Sequence, residues 1–261
     1  MKSLTRFSLL IACLFVLAAC TQTSSGPDYR NEVGANGLLT PRALFTRYVE
    51  AIGGEDVIRS HSSTTLHGRF ILSAFGIEGD ATIYSAAPNH LSQIIELGGF
   101  GTVQTGYNGE IGWSVDPLQG NSILEGDALT DLVQQSDYYL PLNLGESEGQ
   151  ETQELTQSGG SDAYKVMLTD SRGKETFLYF SAQSGLLVRS DTITSSPAGE
   201  VPTTTLLSEY RDFGGYMQPT LIVIDAAGQE FSIEVDDITF DDVSDNQFTP
   251  PAAIQSLLQR R

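Results

Sequence analysis

Gly145-Glu146-Ser147-Glu148-Gly149 has the letter pattern of a nucleophile elbow, where a serine on a strand-to-helix turn is activated by a histidine and an acid. Its surroundings do not supply that chemistry. The segment follows Pro141-Leu142-Asn143-Leu144 in a loop-like stretch, no helical pattern comes after it, and the flanking carboxylates oppose an alkoxide. His61, His67 and His90 are too few and too irregularly spaced for a zinc site, and the first two straddle an expected helix-to-strand boundary. Asp236-Asp237, Asp241-Asp242 and Asp245 concentrate oxygen ligands but lack the alternation, central glycine and terminal glutamate of a calcium loop, so they read as a solvated acidic turn. Gly98-Gly99-Phe100-Gly101 has neither the strand-to-helix context nor the last glycine of a dinucleotide loop and reads as a hairpin connection. The 33 acids show no spacing that assigns an acid/base pair. The chain is expected to be non-enzymatic, with no cofactor and no metal.

Cysteine is the exception. Lys2 and Arg6 precede an uncharged run from Phe7 to Ala19, which has the layout of an export leader and is shorter than the roughly 20 apolar residues of a spanning helix. The run ends in Leu17-Ala18-Ala19-Cys20, which resembles the lipobox of bacterial lipoproteins, whose cysteine sulfur receives diacylglycerol and becomes the first mature residue. Cys13 lies inside the leader, so the mature chain keeps Cys20 alone and can form no internal disulfide. Lipid attachment at Cys20 accounts for that residue. The sorting rule implied by the resemblance takes Asp after the cysteine as a retention signal for the inner membrane; Thr21 stands here, which points to the outer membrane, facing the periplasm.

Loss of residues 1–19 removes two of the 14 basic residues and none of the 33 acidic ones, leaving a mature net charge of −21. Such a field repels nucleic acid and anionic lipid surfaces alike. The expected partners are the membrane, through the N-terminal lipid, the acyl chains of lipids or lipoproteins, and other envelope proteins.

The elements that must position any site follow from periodicity. Residues 20–38, rich in Ser, Thr, Asn and Gly, form the lipidated cysteine and an expected flexible tether. Thr40-Pro41 predicts a capped helix start, with Leu44, Tyr48 and Ile52 at helical spacing and Gly53-Gly54 as the stop; a short second helix covers 55–60. Alternating runs predict strands over 66–73, 79–86, 90–97, 101–107 and 110–116, with Asn108-Gly109 as a tight turn holding positive φ at both positions. A helix is expected from Asp127, and strands resume over 151–157, 162–169, 174–181, 185–194, 203–212, 217–225 and 229–239. The fold class is mainly β with a few helices (α+β): an antiparallel meander curled into an incomplete barrel with a helical lid. It occupies one domain, 39–253, followed by a tail, 254–261.

Ala51-Ile52-Gly53-Gly54-Glu55-Asp56, Gly79-Asp80-Ala81-Thr82-Ile83-Tyr84, Gly106 to Trp113, Leu178 to Val188, Tyr210 to Gly215 and Phe248-Thr249-Pro250-Pro251 together resemble the outer-membrane lipoprotein-sorting, or LolA/LolB-like, superfamily. The resemblance spans about 41–253 and implies an incomplete barrel whose helices cover an apolar cavity for acyl chains. It carries no catalytic residues and no strict cavity signature. Apolar members of the alternating runs supply the candidate lining, Phe70, Leu72, Ile83, Ile95, Trp113, Met167, Leu178 and Phe231, with Leu44 and Tyr48 on the lid; for any single one of them packing in the core is the commoner role of a large apolar strand residue. Two functions stay open: an acyl-chain carrier or acceptor, or a structural adaptor whose filled barrel works through protein contacts.

Overall fold

A computed structural model describes residues 28–117, 119–196 and 199–260. The expected leader, Cys20 and the first part of the tether, to residue 27, lie outside the described residues. Residues 28–38 are not a free tether: Val33 bridges Leu39, and Asn36 donates from Nδ2 to the Thr152 carbonyl at 2.9 Å.

Helix α1 (Pro41–Ala51) starts where a cap and a proline place it, with Thr40 Oγ1 accepting from the Ala43 N–H at 3.2 Å. Helix α2 (Glu55–Ser60) follows, then strands β1 (Ser63–Leu72), β2 (Ile77–Ala86), β3 (His90–Leu97), β4 (Gly101–Asn108), β5 (Gly112–Asp116) and β6 (Gly120–Leu124). Helices α3 (Gly126–Gln135) and α4 (Leu140–Asn143) lead to β7 (Gly149–Ser158), β8 (Ser161–Thr169), β9 (Glu175–Ser181), β10 (Leu187–Ser196) and β11 (Gly199–Ser208). The small hairpin β12 (Arg211–Phe213) and β13 (Tyr216–Gln218) precedes β14 (Leu221–Ala226), β15 (Gln229–Phe240) and helix α5 (Ala252–Leu258).

Among the described residues thirteen strands form one antiparallel sheet in the order β6-β5-β4-β3-β2-β1-β15-β14-β11-β10-β9-β8-β7, not closed into a barrel. One meander runs outward from β1 to the edge β6. The chain then crosses through α3 and α4 to the far edge, β7, and a second meander returns until β15 pairs with β1. That central pairing carries a bulge at His67/Gly68, where a side chain at Gly68 would place its Cβ 2.3 Å from the Glu234 carbonyl oxygen.

Two expectations are corrected by local geometry. The turn after β4 is centred one residue later than Asn108-Gly109: only Gly109 has positive φ, and Asn108 Oδ1 accepts from the N–H groups of Glu110 and Ile111 at 3.1 and 2.8 Å. The expected tail is also structured, since α5 packs on β5 and β6 and Ile254 is fully buried.

Trp113, fully buried, lies across Gly106 on the neighbouring strand, where an added Cβ would stand 2.3 Å from its ring. Gly106→Ala is expected to cost about 1–3 kcal/mol through overpacking. Urea denaturation should show a lowered midpoint for it and an unchanged one for Gly98→Ala, whose Cβ meets nothing within 4 Å.

Candidate functional site

Cross-strand register sorts the expected lining residues by face. Leu66 pairs with Ile83 and Ile238, Phe70 with Ile233, Ala81 with Ile95, and Ile222 with Ile233, so these apolar side chains share one face. Phe70, Leu72, Ile83, Ile95 and Phe231 meet there in a single cluster with Ala81, Val235 and Ile238. Leu178 faces the same way further along the sheet. Trp113 and Met167 do not: Trp113 follows the inward Gly112, and Met167 pairs with Phe177, next to the inward Leu178, so alternation sends both outward.

The helices cover this inner face unevenly. Leu44 and Phe45 of α1 close over Val166, Leu178 and Phe180, and the Tyr48 ring sits 5.5 Å from that of Phe180, so Leu178 and both lid residues are packed core. Leu132 of α3 covers Leu91, Tyr107 and Leu124. Ile52 and Ile58 pack on Tyr216 and the flank of Phe240. The central cluster lies on β1, β2, β3, β14 and β15, with Phe213 of the β12–β13 hairpin packed against it and Ile83 shared with the cluster under α3, and Leu72, Ile83, Ile95, Leu97, Ile222 and Phe231 remain only partly buried. An apolar strip about five strands wide, roughly 20 Å at sheet spacing, thus lies between the helical flanks, bordered by Phe213 of the small hairpin and, at Ile83, by α3.

Helix α3 bridges the two flanks. Its apolar side holds the first meander, and its Asp131 carboxylate accepts from Lys174 Nζ at 2.6 Å, Arg172 at 2.7 Å and the Ser195 N–H at 2.9 Å on the second. Arg172 also binds Asp170 and Asp127. Burial pushes the Asp131 carboxyl up, but the hydrogen bonds from Lys174, Arg172 and Ser195 outweigh it and hold the group below the usual carboxylate range. Sequence reasoning missed this clasp. Its signal is that no Lys or Arg occurs from residue 70 to 164, so the acids of α3 must find their cations in the next segment.

Two grooves open beside the clasp, of about 520 and 370 Å³, sharing Asp127, Ser195 and Glu200. The larger has an apolar floor of outward-facing Phe177 and Ile193 under a charged rim. None of the ten sequence-selected residues lines either groove.

The other chemical candidates have local structural roles. Ser147 donates to the Leu144 carbonyl and leads into β7 rather than a helix. His61 Nδ1 lies 2.8 Å from Asp241 Oδ2 with its ring stacked on Phe240, His67 bonds Thr82, and His90 packs on Phe248. Asp241 accepts from the Ser62 N–H, which with His61 draws its carboxyl down to about 2, and Asp242 accepts from Thr65 and Thr239. Among the described residues no three potential ligand side chains converge as a metal site.

Neither a family model nor a curated protein matches the sequence. Solved structures do match the fold. A LolA superfamily protein from Nitrosomonas europaea is 15% identical, with 81% of this chain and 98% of that one covered at a TM-score of 0.53. A DUF1329 family protein from Desulfovibrio piger is 13% identical, covering 80% and 96% at 0.54. At these identities the shared property is the fold, which is the incomplete barrel that the LolA/LolB-like resemblance implies.

Asp131→Asn removes the charge that gathers three donors and is expected to lower stability at neutral pH by about 1–3 kcal/mol. Because the folded carboxyl titrates below its unfolded value, its contribution is present above the ordinary range and lost as pH falls through the lowered value. Thermal melts of the two proteins should therefore differ at pH 7 and converge as the pH drops below about 4.

Proposed function

We propose that this chain is an envelope lipoprotein, lipidated at Cys20 after removal of residues 1–19, that holds an acyl chain of a lipid or lipoprotein on the uncovered centre of its curled sheet. The observation that carries this reading is the helix-free apolar strip. Side chains of five strands converge there, and nine partly buried hydrophobics pack on its five buried residues, against four on the eight buried beneath α1. Apolar surface left open in this way is stabilised by a chain that covers it, at about 0.8 kcal/mol per buried methylene, so roughly ten methylenes supply about 8 kcal/mol before ordering costs.

The role this reading assigns is binding rather than catalysis. The acyl chain belongs to the inner face and its polar head to the turn end of the sheet, where Leu72, Leu97 and Phe231 run out toward the hairpins bearing Phe75 and Phe100, 65% and 58% exposed. A second reading, an adaptor acting through protein contacts, draws on the filled clusters beneath α1 and α3 and on the charged grooves outside the strip.

Native mass spectrometry of residues 21–261, purified from a lipid-containing host, separates the two. The carrier reading predicts one co-purifying phospholipid or acylated species per chain, lost in Ile95→Asp while the fold persists by circular dichroism. An apo mass that also resists added lipid establishes the adaptor reading instead.

A further inference from the structure

We infer that residues 28–39 and α1 form the face this domain turns toward the bilayer holding the Cys20 lipid, and that the hairpin tips at Phe75 and Phe100 point away from it. The inference rests on the lipidation reading above.

The first observation is a fastened strap. Arg47 donates from Nε to the Arg30 carbonyl at 2.7 Å and from its guanidinium to Asn31 at 2.8 Å, Arg30 pairs with Glu50 at 3.5 Å, and Arg42 lies over the Tyr29 ring at 3.9 Å. The Glu32 carboxylate takes Thr40 Oγ1 at 2.8 Å and Arg42. The chain is therefore held to α1 from its first described residues onward, and the path from the lipidated cysteine to the domain shrinks to the eight steps from Cys20 to Asp28. Even fully extended, these reach at most about 28 Å.

The second observation is where the strap lies. The Arg47 main chain packs beside Gly185, in the turn joining β9 to β10. Register puts that turn at one end of the sheet and the hairpins at Ser73–Gly76 and 98–100 at the other, because Phe180 pairs with Leu187 at the first end while Leu72 pairs with Ile77 and Leu97 with Gly101 at the second. Strands of ten residues, such as β1 and β2, measure about 33 Å. With the hairpin tips turned to the membrane, the attachment at Arg30 and Asn31, beside the opposite end of the sheet, would stand off from it, and the eight-step tether would have to run close to full extension.

Charge acts in the same direction. From residue 70 to 135, which spans β2 to β6 and α3, there are eight Asp and Glu and no Lys or Arg. From 28 to 59 four arginines stand against five acids. A bilayer containing anionic lipid repels the first region far more than the second, so the near-neutral, ion-paired face is the one that can approach headgroups. In this orientation the open strip exchanges its acyl chain with a soluble or opposing partner rather than with the anchoring bilayer.

The test uses the lipidated full chain in vesicles of phosphatidylethanolamine and phosphatidylglycerol containing a lipid with a headgroup quencher. The Cys20 thiol is occupied by lipid, so a fluorophore can be placed on Thr46→Cys in α1, on Ser184→Cys in the β9–β10 turn, or on Ala74→Cys at the hairpin tip. Labels at 46 and 184 are expected to be quenched several-fold more than the label at 74, and the difference to vanish when about 20 Gly/Ser residues are inserted between Gly26 and Pro27. Equal or greater quenching at 74 with the natural tether overturns the orientation. Vesicle flotation reads the anchor separately: a chain that does not float refutes lipidation, and the orientation falls with it.

Discussion

The pairing of β1 with β15 is the interaction on which the rest depends. It joins a strand from near the start of the domain to one from near its end, across register partners such as Phe70 with Ile233 and Leu66 with Ile238. Without it the chain is two separate meanders, each with an apolar face and an additional unpaired edge. With it, the two inner faces become one, and the seam between them is its most apolar part. Toward its hairpin end the seam has no α-helix over it, because α1 and α3 belong to the outer arms of the sheet, while Ile52 and Ile58 reach Phe240 at its other end. Topology, rather than any special residue, leaves the central strip uncovered.

The same topology obliges the chain to cross from edge β6 to edge β7, and α3 is the crossing. Its two sides obey different physics. The apolar side, through Leu132, buries surface against β3, β4 and the end of β6 without directional demand. The Asp131 side depends on geometry: one partly buried carboxylate, three donors, and two cations drawn from the β8–β9 turn and its border. An interaction of that kind is specific and can be undone by a single proton, whereas the packing side cannot. The bridge over the incomplete barrel is thus firm on one arm and titratable on the other.

Much of the sheet was legible because half-buried strands alternate. The run 90–97 coincides with β3, and the cap-and-proline signal at Thr40-Pro41 locates α1. Elements lacking such a signal were missed: β6 opens on Gly120-Asn121-Ser122, and the expected strands at 203–212 and 217–225 break into four because Tyr210 to Gln218 forms its own hairpin. Facing was harder than existence. Trp113 and Met167 are apolar members of alternating runs like Phe70 and Ile95, but which parity points inward is set by pairing with a neighbour, and one step reverses it. The strap was read as linker because its order comes from arginines of α1, a tertiary effect invisible to composition.

The central claim is that an acyl chain lies on the helix-free strip, and the most direct measurement is intermolecular nuclear Overhauser contact between a fatty-acyl ligand and selectively labelled methyl groups of residues 21–261. The account predicts contacts to Leu72, Ile83, Ile95 and Ile222 and none to Leu44 or Leu178, which α1 seals. Contacts confined to Ile193, on the floor of the outer groove, or none at saturating ligand, would contradict it.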